Sequence, residues 1–146
     1  DALQAVHLAN SDVVTFHCYD GRHDAARLRG FIRRQAEAED GRPLVCTEYM
    51  ARGLESTFER FLPIFRENRI GCLNWGLVAG RSNTIWPWSS RRSRRGPVET
   101  EPAVPPDRSA AEPELWHHDI FRPDGTPYRQ DEVDFFRAMT ASAAGA

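Results

Sequence analysis

No run of about eighteen consecutive apolar residues occurs in the chain, so no segment of it reads as a membrane span. A positively charged start followed by an apolar stretch is also missing, so no secretory signal is read at the beginning. Lysine is absent altogether. All nineteen basic side chains are arginine, and against twenty-one carboxylates they leave a net charge of only −2. That balance argues against a generic nucleic-acid binder, and neither a nucleic-acid nor a membrane partner is expected. Cysteine is scarce: Cys18, Cys46 and Cys72 are the three. An odd, widely spaced set is a poor disulfide framework, and no CxxC or Cys/His cluster with zinc spacing accompanies it, so no metal and no cofactor is expected. Each cysteine sits inside an apolar run and reads as a buried thiol packing like a small hydrophobe. What is present, 146 residues with 40% hydrophobic side chains, suffices for one core.

Three short runs have strand character: Val13 to Tyr19 (VVTFHCY), Leu44 to Tyr49 (LVCTEY) and Gly71 to Val78 (GCLNWGLV). Each is rich in β-branched or aromatic residues and bounded by turn formers. They do not alternate cleanly, as expected for a parallel sheet covered on both faces. Helical periodicity separates them. Asp24 to Glu39 carries Leu28, Phe31, Ile32 and Ala36 on one side, with Asp24 as a possible cap. Ser56 to Asn68 carries Phe58, Phe61, Leu62 and Phe65; Ser56 with Glu59 has the capping-box form, and Pro63 predicts a kink or a restart. Ala2 to Leu8 reads as a helix before the first strand. Gln130 to Thr140 reads as a last helix that presents Val133, Phe136 and Met139 or Thr140 to the core. The order strand, helix, strand, helix, strand, in repeats of about thirty residues, predicts βαβ units and an α/β fold with a parallel sheet.

From about Ala79 to Tyr128 little regular pattern occurs. Arg91 to Ala111 is the most polar part and reads as a solvated insertion or disordered loop. Its RRSRR cluster has the charge to meet phosphate, but a solvated loop is the preferred reading. The tail ASAAGA is expected to fray.

In parallel α/β barrels functional groups stand at the C-terminal ends of strands. The first strand end here offers His17, Tyr19 and then Asp20; the second offers Glu48; the third offers Asn74 and Trp75. Glu48 is the most informative, because a carboxylate ending an apolar strand costs several kcal/mol to desolvate without partners. Two explanations stand side by side: a structural ion pair with an arginine such as Arg52, or a carboxylate held for nucleophilic attack. Tyr19 can donate to such a carboxylate, and His17, two residues away, shares its face. Trp75 offers a flat apolar surface for a sugar ring. Each also has a plain structural alternative, as core aromatic or satisfied histidine. Trp86, Trp88 and Trp116 either line a sugar subsite or pack the long loop. His117-His118-Asp119 looks like a metal cluster, but adjacent histidines point in different directions on regular structure, which disfavours that reading.

These residues carry a resemblance. His17-Cys18-Tyr19, Glu48 in PLVCTEYMAR and Trp75 in GCLNWGLVAG are similar, in order and spacing, to strands six, seven and eight of glycoside hydrolase family 5 and its clan A relatives. The segment EPELWHHDIFRPDGTPYRQDEVDFFR resembles the closing segment of a bacterial subgroup described as cellulase-like or xylanase-like. The likeness covers most of the chain except Arg91 to Ala111. It implies a partial (β/α)8 TIM barrel, roughly strands 6 to 8 with their helices, since 146 residues are fewer than the about 250 of a whole barrel. It further implies a retaining mechanism on a β-linked poly- or oligosaccharide, with Glu48 as nucleophile and His17, Tyr19, Asn74, Trp75, Trp86 and Trp88 as substrate-binding residues. The family's acid/base glutamate follows an asparagine at a strand end, and no such pair occurs in this sequence, so the chain alone is expected to be inactive. The alternative is a non-catalytic carbohydrate-binding or interaction remnant. Three parallel strands alone would leave open edges and an exposed inner face, from which poor solubility as a monomer is expected.

Overall fold

The computed structural model describes residues 2–19, 25–38, 41–81, 84–88 and 112–141. Asp20, the cap expected at Asp24, the polar stretch 91–111 with its RRSRR cluster, and the tail after Ala141 lie outside the described residues. The elements run α1 (Ala2–Asn10), β1 (Val14–His17), α2 (Ala25–Ala38), β2 (Leu44–Glu48), a 3-10 turn (Arg52–Leu54), α3 (Phe58–Glu67), β3 (Gly71–Cys72) and α4 (Gln130–Ala141). The three strands form one parallel sheet in the order β1-β2-β3. The fold is mixed α/β, with a small parallel sheet whose two outer strands each have one neighbour among the described residues.

The third strand is shorter than its apolar run predicted. Gly71 and Cys72 pair with Val45 and Cys46, and the Leu73 amide still reaches the Cys46 carbonyl at 2.9 Å. The chain then turns. Asn74 donates from its side-chain amide to the Gly76 carbonyl, and Gly76 takes φ +89°. A residue with a Cβ is strained there, and the built position of that carbon lies 2.7 Å from Asp119 Oδ1. Val78 rejoins regular pairing only as an isolated bridge to Phe121.

The sheet is two-faced. Val14, Phe16, Leu44, Cys46 and Cys72 face the core, where Ile32 of α2 and Phe58, Phe61, Leu62, Ile64 and Phe65 of α3 meet them. Phe16 packs edge-on against Phe31, ring centres 5.8 Å apart. Burying side chains of this size stabilises by roughly 1.5–3 kcal/mol each, so α3, with five of its ten residues buried, is the main anchor. The alternate residues Val13, Thr15 and His17 are exposed, as is Leu73. A parallel sheet normally carries helices on both faces; here the described helices cover one.

Regular alternation fails at one point, and the failure positions the site. Phe16 lies opposite Cys46, but His17 lies opposite Glu48, so Thr47 is an extra residue in β2. Without that bulge Glu48 would follow Leu44 and Cys46 toward the core.

Three local expectations are corrected. Ser56 does not cap α3: Thr57 occupies the N-cap without a side-chain bond, and the fully buried Ser56 hydroxyl donates to the Tyr49 carbonyl instead. Of the two outcomes expected at Pro63, the restart does not occur: α3 runs unbroken through it. The helix gives up the one backbone bond that a proline cannot donate. In α4 Val133 is buried and Met139 packs on the core, but Phe136 is half-exposed against Phe58 and Thr140 is exposed. The fully buried residue of that helix beside Val133 is Glu132.

Residues 112–128, which show little regular pattern in sequence, form no helix, and part of the segment is buried. Trp116, His117, His118, Asp119 and Ile120 are all buried. Trp116 stacks on Tyr128 with ring centres 4.6 Å apart and planes 3° from parallel.

Candidate functional site

Glu48 ends β2, the central strand, and its carboxylate meets two groups from β1 and the residues after it. The Tyr19 hydroxyl donates to Glu48 Oε2 at 2.8 Å. His17 Nδ1 lies 3.4 Å from the same oxygen. Below the side chains, the Cys18 amide donates to the Glu48 carbonyl at 2.9 Å, which locks the two strand ends together beyond the bulge. Burial raises the Tyr19 phenol well above its ordinary value, and the bonded, negatively charged Glu48 raises it further. Tyr19 therefore stays protonated and acts as a donor that orients Glu48. The carboxylate is only partly buried and keeps a route to solvent.

The ion pair with Arg52, the plain alternative for Glu48, is not formed. Arg52 turns to α4: its Nε and Nη2 donate to Glu132 Oε1 and Oε2 at 2.8 and 2.5 Å. Its Nη1 donates to the carbonyls of Trp116 and Asp119 at 3.1 and 3.0 Å. Among the described residues, the side chains shown to meet the Glu48 carboxylate are Tyr19 and His17.

The aromatic candidates separate. Trp88 stands edge-on to Tyr19 at 4.9 Å between ring centres and also touches His117 and His118, while remaining 39% exposed, so it belongs to this site. Trp75 is 48% exposed, on the residues that follow β3. Trp86 is half-buried and makes no ring contact with Tyr19, Trp88 or either histidine. Trp116, buried under Arg122 and Tyr128, packs the loop and lines no subsite. Asn74 is corrected. It lines a separate cavity of about 320 Å³ with Phe58, Leu77, Phe121, Phe136 and Arg137, between α3 and α4. Asn74 and Trp75 both lie past the end of β3 at Cys72, in the turn that leads to Gly76.

Sequence reasoning missed what holds this site from behind. His118 is 1% exposed, its Nδ1 is 2.6 Å from the Met50 carbonyl, and its ring centre is 5.8 Å from that of Tyr19. Burial depresses its pKa. Asp119 is fully buried; burial raises its pKa, and the Thr84 hydroxyl, bonded to the carboxylate at 2.7–2.8 Å, opposes that shift. Among the described residues no group of three His, Cys, Asp or Glu side chains is placed to hold a metal ion. The signal was available in LWHHDIF, where apolar residues flank the polar triplet on both sides.

The arrangement can present an oriented carboxylate to a ligand that also contacts exposed aromatic rings. Comparison of the chain with protein-family models, with curated proteins and with solved structures returned no match.

Proposed function

We propose that this chain carries the nucleophile side of a retaining glycoside hydrolase acting on a β-linked poly- or oligosaccharide. The observation that carries the reading is the placement of Glu48 at the C-terminal end of the central parallel strand, held by Tyr19 and His17 and free of Arg52. In α/β barrels that end of the sheet is where chemistry is done, so the three strands are read as strands 6 to 8 of a (β/α)8 barrel. Glu48 attacks the anomeric carbon, the leaving oxygen departs, and a glycosyl-enzyme ester forms. Tyr19 holds the attacking carboxylate in line throughout. A second carboxyl about 5–5.5 Å from the first protonates the leaving oxygen and then activates water. Asp119 does not suit that role, since it is sealed from solvent and bonded to Thr84. The acid/base residue is therefore assigned to further β/α units that complete the barrel.

The test is hydrolysis of xylo-, manno- and cello-oligosaccharides by a protein containing the complete barrel. Activity there, lost with Glu48→Gln, is expected; full activity after that substitution would sink the proposal. The isolated chain should turn over little. The exposed Trp75 and Trp88 support a second reading, a non-catalytic carbohydrate-binding remnant. Binding that depends on those tryptophans, survives loss of Glu48 and is accompanied by no turnover in any longer protein would favour it.

A further inference from the structure

We propose that the cavity between α3 and α4 binds a small amphipathic carboxylate, its apolar body inside and its carboxylate on the Arg137 guanidinium. The space measures about 320 Å³, whereas close-packed interiors leave few voids larger than a water molecule. An apolar cavity of about 150 Å³ already stays dry and takes up benzene, and small-molecule pockets run from about 300 Å³ upward. The buried side chains of Phe58, Ile120 and Val133 form its floor. Phe58 meets Phe136 edge-on, with ring centres 5.4 Å apart. The exposed Leu77 and the half-exposed Phe136 stand at the mouth, so the space is open to an entering molecule. Walls of this kind select an apolar body.

The polar lining says what the other end of the ligand carries. It consists of Asn74, Thr140 and Arg137. The Asn74 amide donates to the Gly76 carbonyl, and its Oδ1 is closed off from solvent. The Thr140 hydroxyl lies 3.0 Å from the Phe136 carbonyl and 3.2 Å from that of Arg137, and spends its hydrogen there. Neither side chain has a donor to give. Arg137 has several, all on a cation, and its side chain is exposed. Among the described residues no carboxylate pairs with it; Asp134, one turn earlier, is held by the Gln130 amide. A guanidinium beside an apolar cavity attracts an anion and repels an amine, and its planar fork matches the two oxygens of a carboxylate. The cavity shares no residue with the Glu48 cluster, so this site stands or falls apart from the carbohydrate reading.

The test uses the full chain, 13C-labelled at the leucine, isoleucine and valine methyls and titrated with octanoate, 1-octanol and octylamine. Octanoate should shift the Leu77, Ile120 and Val133 methyl signals saturably. Those of Val13 and Leu73, on the uncovered sheet face, should stay in place. Octanoate should bind about tenfold more tightly than 1-octanol, the equivalent of one charge-assisted hydrogen bond, and octylamine more weakly than either. Arg137→Gln should abolish the advantage of octanoate and leave 1-octanol binding unchanged. The urea midpoint should hardly move, because the side chain is exposed. Octanoate binding undiminished by Arg137→Gln, or octylamine binding as tightly as octanoate, would overturn the proposal. So would shifts at Val13 and Leu73 in place of the cavity methyls, which would mark adhesion to the open sheet face. The absence of saturable shifts at millimolar octanoate would overturn it as well.

Discussion

Removing one member of the Arg52–Glu132 pair should cost about 3–5 kcal/mol of stability, the usual penalty for leaving one charge of a buried pair uncompensated. The side chains are 2% and 1% exposed, and the contact is a two-pronged fork at 2.8 and 2.5 Å. The two truncations are not equivalent. Glu132→Ala leaves the guanidinium with the Trp116 and Asp119 carbonyls, so its cost belongs at the lower end. Arg52→Ala strands the carboxylate, among the described residues, with Arg129 at 3.7 Å, and takes a donor from both carbonyls, so its cost belongs at the upper end. Stabilities of single domains run about 5–15 kcal/mol, so either change removes a large fraction. For a chain of this size a loss of 3–5 kcal/mol lowers Tm by roughly 10 °C. Urea denaturation followed by circular dichroism measures it. The double replacement Arg52→Met with Glu132→Leu should cost much less than the two single changes added together, because a matched apolar pair replaces a matched ionic one. Single changes within about 1 kcal/mol of the parent, or additive effects in the double variant, would refute the argument.

The Gly76→Ala change should destabilise by about 1–3 kcal/mol, because its φ is +89° and the new carbon would lie 2.7 Å from Asp119 Oδ1 and 2.9 Å from His118 Cβ. Gly125→Ala shares the positive φ but meets nothing within 4 Å, and equal costs at the two positions would disprove the steric part. A pH prediction follows from His118, whose ring is faced by Glu48, Asp119, Arg52, Tyr19 and His117. Its folded pKa is lowered, so the unfolded chain binds the proton first, and stability falls as pH drops below about 6.5 toward the depressed value. Asp119, with a raised pKa, acts in the opposite sense: its contribution is present below about 3.8 and is lost as pH rises through the folded value. Unfolding between pH 7 and 5 should therefore be less pH-sensitive in His118→Asn than in the parent, and equal slopes would contradict this. Burial pushes the Cys18 thiol to about 11 and Cys46 to about 12. At pH 8 Cys18 should react with a disulfide reagent on the order of a hundredfold, and Cys46 on the order of a thousandfold, more slowly in the native chain than in urea; rapid native labelling would show that these thiols are not held as described.

The elements were legible because their signals are local and strong. The stripe of Phe58, Phe61, Leu62 and Phe65 needs no distant partner to be recognised, and the order of strands and helices follows from it. The cluster of His17, Tyr19 and Glu48 was legible because strand ends in a parallel sheet gather on one side. What escaped depends on contacts between residues far apart in the chain. Nothing local marks Glu132 as buried, because its partner is eighty residues away. Ser56 looked like a cap because the capping-box pattern cannot register the Tyr49 carbonyl that captures its hydroxyl. Asn74 and Trp75 were read as a strand end, whereas the strand stops at Cys72 and both fall in the turn after it.

The extra residue in β2 makes the address of Glu48 a matter of parity. Side-chain direction in a strand has two values, so an insertion or deletion of a single residue between Leu44 and Glu48 would exchange them, turning the carboxylate toward the helices and a core residue outward. A change of two residues would restore the parity while altering the length. Among natural variants of this strand, length differences in steps of one should thus be far more damaging than most substitutions at Thr47 itself, whose side chain matters less than its being counted.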